Sequence, residues 1–234
     1  MNLKELQSTL RAQENPAQAA HLSRFFKTGK GQYGEGDIFL GIKVPELRKI
    51  TKSCRNIPLS GLQKLLNSGI HEERFSALLI LVDRYKHGTS DEQGDIFTFY
   101  IKNAPRVNNW DLVDLSAADI AGHYLMDRDR SILRTLARSE NLWEKRISIV
   151  ATHYFIKQGD VDTTFAIAEI LMNDPHDLIH KAVGWMLREA GNRNLKAETG
   201  FLNAHYTQMP RTMLRYAIEK FPEDLRQGYL KGTV

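Results

Sequence analysis

Trp110 and Asp114 lie four residues apart in the segment 108–114 (NNWDLVD), a spacing that puts both side chains on one helix face. Asp114 follows the apolar residues Leu112 and Val113, and a partly buried carboxylate requires a cation or hydrogen-bond donors. An indole face and a carboxylate can both stabilise positive charge that develops in a reaction. The pair is therefore a candidate catalytic site.

Three other patterns carry weaker signals. Residues 29–36 (GKGQYGEG) match GxGxxG, but no buried strand precedes them, which favours a connecting loop where Lys30 and the glycines can approach a phosphate. His176 and His180 have the spacing of a metal pair but lack a third ligand, so capping and packing are favoured and no metal is expected. Cys54 has no partner cysteine and fits a buried apolar position.

The elements that must position these residues are predicted to be helices. Apolar residues recur at three- and four-residue spacing in the segments 71–85, 140–156, 176–190 and 211–221. Short breakers rich in Asn, Gly and Pro separate such segments, while alternating strand patterns and hairpin turns are missing. The pattern predicts an all-α protein built of short-linked helical hairpins.

A degenerate repeat runs through the chain. Arg74, Trp110, Arg146, Lys181 and Arg215 each open an apolar helix, at spacings of 36, 36, 35 and 34 residues. Two helices per repeat of this length are typical of α-solenoids, and the absence of the tetratricopeptide consensus favours a HEAT-like solenoid. Equivalent positions in a solenoid form a row, so the four cations predict phosphate contacts on a concave DNA-binding face. Solvated charges at helix starts are the alternative.

Trp185 joins the candidate site through this repeat. It lies four residues after the anchor Lys181, which makes it equivalent to Asp114 two repeats earlier. Arg146 and Arg188 are the cations expected to partner the carboxylate or to hold a phosphate beside it. Tryptophan at helical spacing is more often a core residue, so a purely structural role is the alternative for Trp185.

Composition sets the outer limits. The 234 residues include 42% hydrophobic and 26% charged residues with a net charge of +4, as expected of a folded protein that tolerates an anionic partner. The amino terminus has no apolar signal core, and no stretch approaches 18 apolar residues. We therefore expect a cytoplasmic monomer with one helical-repeat domain over residues 1–234.

Four segments carry a family resemblance. They are 37–49 (DIFLGIKVPELRK), 108–114 (NNWDLVD), 141–149 (NLWEKRISI) and 180–191 (HKAVGWMLREAG), in an order that spans most of the chain. In this order they resemble the AlkD-like DNA alkylation repair family, whose members are HEAT-like alkylpurine DNA glycosylases. Any one of these segments alone would be unspecific.

The resemblance implies a set of site residues. Trp110 and Asp114 match the WDxVD segment, Arg146 matches the arginine after the LW pair, and Trp185 matches the GWxLRE segment. All four residue types of the family motif are kept. The chain departs from well-characterised relatives in a longer glycine-rich loop, in its carboxyl-terminal segment, and at Asn109, where a relative can have a second tryptophan.

The resemblance also implies an activity. The expected protein is a monofunctional DNA glycosylase that removes cationic N3- or N7-alkylated purines from double-stranded DNA, without a cofactor and without a pocket for a flipped base. Two alternatives remain open: a non-enzymatic binder of bent, branched or damaged DNA, and a helical scaffold for a protein partner.

Overall fold

Helices make up the regular structure of the protein. The computed structural model describes residues 1–234, and the one exception to helix is an isolated bridge between Ile38 and Ile70. The prediction of an all-helical fold is confirmed. The chain divides into two compact units, which we call unit 1 (Met1–Ser116) and unit 2 (Ala117–Val234). The single domain over residues 1–234 stays a prediction, and each unit is described by itself.

Unit 1 holds the first seven α-helices. Their bounds, with one 3-10 turn, are α1 (Leu3–Ala12), α2 (Pro16–Phe25), α3 (Val44–Thr51), α4 (Leu59–Leu66), α5 (His71–His87), α6 (Ser90–Lys102), the turn Ala104–Arg106 and α7 (Trp110–Ala117), whose last residue belongs to unit 2.

Helix α5 is the centre of unit 1. It packs against α1, α3, α4 and α6, and its apolar run from Phe75 to Val82 is buried. The helix also begins with four polar residues that are all buried: His71, Glu72, Glu73 and Arg74. Buried polar groups of this kind require partners, so the start of α5 is where the unit departs from an ordinary apolar core.

Unit 2 holds the remaining helices. It begins with a π-helical turn (Ala118–Gly122) and continues with α8 (His123–Leu125), α9 (Ser131–Ala137), α10 (Leu142–Val150), α11 (Thr152–Lys157), α12 (Asp162–Leu171), α13 (Asp177–Arg193), α14 (Leu195–His205), α15 (Arg211–Ala217), the 3-10 turn Ile218–Lys220 and α16 (Glu223–Lys231).

The helices of unit 2 pack in series. Helix α10 contacts α13, and α13 contacts α15, while α9, α12 and α14 pack beside them. Glycine permits two of the closest approaches: a Cβ on Gly184 would lie 2.4 Å from the carbonyl oxygen of Met213, and one on Gly122 would lie 2.2 Å from that of Ala151. The helices therefore meet with backbone against backbone at these points.

The four helical segments predicted from periodicity correspond to α5, to α10 with α11, to α13, and to α15 with its 3-10 extension. The boundaries agree to within a few residues. None of these helices, nor any other in the structure, has the length and apolar character needed to cross a lipid bilayer.

Candidate functional site

The first turn of α7 presents the two leading candidate residues. Asn109 precedes the helix, is fully buried, and its Oδ1 accepts a hydrogen bond from the backbone N–H of Trp110 at 2.9 Å. Leu112 and Val113 are buried, whereas Trp110 and Asp114 are half-buried and lie one helical turn apart. Both residues therefore share one face of α7, as the four-residue spacing predicts.

Aromatic packing fixes the indole of Trp110. The Phe26 ring stacks on it with a centroid distance of 5.2 Å and an interplanar angle of 15°. The Phe25 ring meets it edge-on at 6.0 Å, and Phe26 also stacks on Phe39 at 5.1 Å. The indole held in this way is half-buried, so part of its surface is accessible, which suits a contact with a bound molecule.

Asp114 lies one turn after Trp110, near the hydroxyl of Tyr100. Burial raises the pKa of Tyr100, its hydrogen bond to Ser116 at 3.0 Å opposes that rise, and the negative charge of Asp114 adds to it. The carboxylate is thus close enough to this hydroxyl to influence its ionisation. A carboxylate at this position can stabilise a cation that forms beside the helix.

Three buried side chains and one half-buried side chain meet at the first turn of α7, and we call them the unit 1 charge cluster: Asp37, His71, Arg74 and the half-buried Asp111. His71 Nε2 lies 2.8 Å from Asp111 Oδ2, and His71 Nδ1 lies 3.4 Å from Asp37 Oδ2. Arg74 Nη2 donates to Asp37 Oδ1 at 2.6 Å. Sequence reasoning missed the roles of Asp37, His71 and Asp111. The available signal was four polar residues at the start of an otherwise apolar helix.

Arg74 of the predicted cationic row is buried and paired. The sequence places it in the cationic row as a phosphate ligand, but its side chain is 3% exposed and its guanidinium donates to Asp37 and to the carbonyl oxygen of Ser68, at 2.8 Å for the latter. A phosphate would have to displace a buried ion pair to reach it. A loop aspartate 37 positions earlier neutralises the charge of Arg74, and its role as a phosphate ligand stays a prediction.

Glu72 organises the loop that leads into α3. Its carboxylate accepts hydrogen bonds from the backbone N–H groups of Leu40, Gly41 and Ile42, at 2.9, 2.8 and 3.2 Å. A cavity of about 420 Å³ borders this carboxylate and the charge cluster, and Lys43 lies on its wall. The carboxylate of Glu72 is occupied by the backbone N–H groups that it holds.

In unit 2 the predicted row is in register. Arg146, Lys181 and Arg215 are each the fifth residue of their helices, α10, α13 and α15. Their environments differ: Arg146 is 5% exposed and donates to the carbonyl oxygen of Leu178 at 2.7 Å, Lys181 is half-buried and pairs with Asp177, and Arg215 is exposed. The row changes from a buried to a solvated cation along the unit.

Trp185 and Arg188 lie on α13 with acidic neighbours. Trp185 is half-buried, and its Nε1 donates to Glu189 Oε1 at 3.1 Å, while the ring of His153 lies 5.6 Å from its own. Arg188 contacts Glu219 on the 3-10 turn after α15. Burial lowers the pKa of His153, so a neutral imidazole faces the indole at neutral pH.

The weaker motifs take local roles. Residues 28–43 form a loop without a preceding strand, and Lys30 is exposed within it. His176 caps α13 by accepting from the backbone N–H of Leu178, and His180 Nε2 lies 2.5 Å from the carbonyl oxygen of Asp174. The predicted capping role is confirmed. Cys54 is fully buried, as predicted, and burial raises the pKa of its thiol.

Comparison with a protein-family model shows the class to which the chain belongs. The chain matches the family described as DNA alkylation repair enzyme over residues 6–221, which is nearly its whole length, and it belongs to this family. Membership gives the protein a role in the repair of alkylated DNA.

A solved structure supports the fold independently. It is a predicted DNA alkylation repair enzyme from Enterococcus faecalis, with 17% sequence identity and a TM-score of 0.69. The similarity covers 90% of this chain and 98% of that one. At this level of identity the similarity concerns the fold. A comparison with curated proteins gave no match.

Proposed function

We propose that the protein is a monofunctional DNA glycosylase that hydrolyses the N-glycosidic bond of N3- or N7-alkylated purines in double-stranded DNA. The observation that carries the proposal is the shared half-buried face of α7, on which Asp114 lies one turn after the stacked indole of Trp110. Family membership supports the choice of alkylated DNA as the substrate.

The chemistry requires little from the enzyme at the leaving group. An N3- or N7-alkylated purine is cationic, and it departs as a neutral base with the electrons of the glycosidic bond. Positive charge then develops on the deoxyribose, where the carboxylate of Asp114 stabilises it. Water adds its oxygen to C1′, and Asp114 orients this water while its proton passes to solvent. No lysine is needed to form a Schiff base, so strand cleavage is not expected.

The other candidates have supporting roles in this proposal. Trp110 and Trp185 each offer the negative face of the ring to deoxyribose and backbone of the bound DNA. Arg146 and Arg188 each hold a phosphate of this DNA. Lys181 and Arg215 contact phosphates further along the duplex, as their equivalent repeat positions predict, and the loop residue Lys30 contacts another.

The direct test is release of 3-methyladenine and 7-methylguanine from methylated duplex DNA. Wild-type protein should release both bases and leave the strands intact. Asp114→Asn should release them roughly 100- to 1,000-fold more slowly, since one preorganised electrostatic group is worth that much, with DNA affinity nearly unchanged. Asp224→Asn, at an exposed position on α16, is the matched control and should behave as wild type.

Two outcomes would contradict the proposal. A wild-type protein that binds damaged DNA but releases no base would be a DNA-binding member of the family without glycosylase chemistry. Equal base release by Asp114→Asn and wild type would remove Asp114 from the mechanism.

A further inference from the structure

The unit 1 charge cluster does more than fill a core, because two of its members contact the residues on either side of Trp110. His71 Nε2 lies 2.8 Å from Asp111, the residue after Trp110. Asn109, the residue before it, donates to Asp37 Oδ2 at 3.3 Å. His71 and Asp37 therefore contact the chain directly after and directly before Trp110.

A second route links His71 to the same indole. The imidazole of His71 stacks on Phe39 with a centroid distance of 4.5 Å, Phe39 stacks on Phe26 at 5.1 Å, and Phe26 stacks on Trp110 at 5.2 Å. Stacked rings of this kind transmit a displacement because they are in van der Waals contact. A shift of His71 would thus reach Trp110 through both polar and aromatic contacts.

The geometry favours the cationic form of His71. A neutral imidazole has one N–H, so it can donate to only one of the carboxylates of Asp37 and Asp111, and its other nitrogen would face an anion. With His71 protonated, two cations balance two anions, since Arg74 supplies the second positive charge. The remaining charged groups around the bordering cavity are Glu72, which is bound to backbone N–H groups, and Lys43.

The titration behaviour agrees with this charge count. Burial alone lowers the pKa of His71, but hydrogen bonds to Asp111 and Asp37 outweigh burial and raise the pKa above its usual 6.5. For Asp37, burial favours a higher pKa, and the contacts with His71 and Arg74 lower it instead. Both shifts favour the charged forms of His71 and Asp37, in agreement with the opposite charges that these contacts bring together.

We propose that His71 is a positioning residue of the repair reaction: held between Asp37 and Asp111, it fixes the first turn of α7 and thereby the placement of Trp110 and Asp114. This inference rests on the proposed role of Asp114 in base release. Loss of the His71 proton leaves the carboxylate of Asp111 without its cation. The first turn of α7 is then held less firmly, and Trp110 and Asp114 lose their alignment.

The experiment compares wild type with His71→Gln, which keeps a donor and an acceptor but cannot become a cation. His21→Gln, at an exposed position on α2, is the matched control. Single-turnover base release from methylated DNA should fall roughly 10- to 100-fold in His71→Gln, while the DNA Kd stays within about twofold, because misplacement costs rate more than binding. The wild-type rate of base release should decline as the pH rises through the His71 pKa, and His71→Gln should not show this decline.

A second measurement does not depend on activity. In an NMR pH titration of the wild-type protein, the indole N–H signal of Trp110 should shift with the same midpoint as the His71 ring signals, above pH 6.5. The double variant with His71→Gln and Asp111→Asn should recover part of the base-release rate, since the unpaired carboxylate is then neutral. Mere loss of packing would not be rescued in this way.

The outcomes separate the two proposals. If wild type releases no base, the glycosylase proposal fails, and the Trp110 titration still decides whether His71 positions α7. If wild type releases base but His71→Gln keeps both its rate and its pH profile, the positioning role is wrong. A Trp110 indole N–H signal that does not shift with the His71 titration would also overturn the positioning role. This test uses the wild-type protein, so it is valid even if the variant does not fold.

Discussion

The charge cluster of unit 1 and Glu198 of unit 2 are two buried charged sites with opposite environments. In unit 1, Asp37 is buried beside Arg74 and His71, and each charge has a partner of opposite sign. In unit 2, Glu198 is 1% exposed and its Oε1 has no hydrogen-bond partner. The difference shows that the charge cluster of unit 1 holds the start of α7 in place through paired charges. Glu198 has no such partner, and its carboxyl group is accommodated mainly in the protonated form.

The largest expected effect is on the unit 1 charge cluster. Asp37→Asn removes one of two anions and leaves the buried cations Arg74 and His71 with Asp111 alone. The free energy of unfolding at pH 7 should fall by about 3–5 kcal/mol, the usual cost of breaking a buried ion pair. Urea denaturation measures it. The control is Asp83→Asn, which breaks the exposed pair with Arg55 and should change stability by less than about 1 kcal/mol.

A result near the control value for Asp37→Asn would break the comparison between the units. It would mean that the cluster contributes as little as a surface ion pair, and that its short distances do not reflect a stabilising arrangement.

The second effect concerns Glu198. Burial raises its pKa to about 8, with partial relief from the charge of Arg188. Because the folded protein holds this proton more tightly than the unfolded chain, the contribution to stability is fully present below pH 4.5 and is lost as the pH rises towards about 8. Glu198→Gln cannot ionise, so at pH 8 it should be more stable than wild type by up to about 4 kcal/mol.

Urea denaturation at several pH values between 5 and 8.5 tests this difference, with the exposed Glu140→Gln as control. Parallel pH profiles for wild type and Glu198→Gln would show that Glu198 is ionised in the folded protein. The contrast between the two units would then disappear.

The smallest effect concerns the solvated end of the cationic row. Arg215→Ala should weaken binding to duplex DNA several-fold and reduce the slope of log Kd against log salt by about 1, as expected for one phosphate contact. The exposed Arg134→Ala on α9 is the control and should leave the slope unchanged. An unchanged slope for Arg215→Ala would remove this residue from the proposed DNA interface.

The cationic row shows which features the sequence could predict and which it could not. Periodicity gave the long helices and the register of Arg146, Lys181 and Arg215, because both depend on local spacing along α10, α13 and α15. It could not predict the fate of Arg74, because the partner of this residue comes from a distant loop. A repeat shows which positions are equivalent, but a buried counter-ion depends on how far-apart segments meet.

The candidate site also combines features that local spacing predicts with long-range contacts that it does not predict. The family motif supplied Trp110 and Asp114, and the spacing correctly put them on one face of α7. The anchoring of that face by His71, through Asp111 and a ladder of aromatic rings, was not visible in the sequence. Long-range contacts of single polar side chains leave no periodic signal.

The account depends most on Asp114 as the group that stabilises the reacting deoxyribose. The most direct measurement is the single-turnover rate of 7-methylguanine release from duplex DNA by Asp114→Asn, at saturating protein and with its unfolding free energy measured in parallel. We predict a rate roughly 100- to 1,000-fold below wild type in a variant that still folds and binds DNA. A folded, DNA-binding Asp114→Asn protein with the wild-type rate would contradict the account.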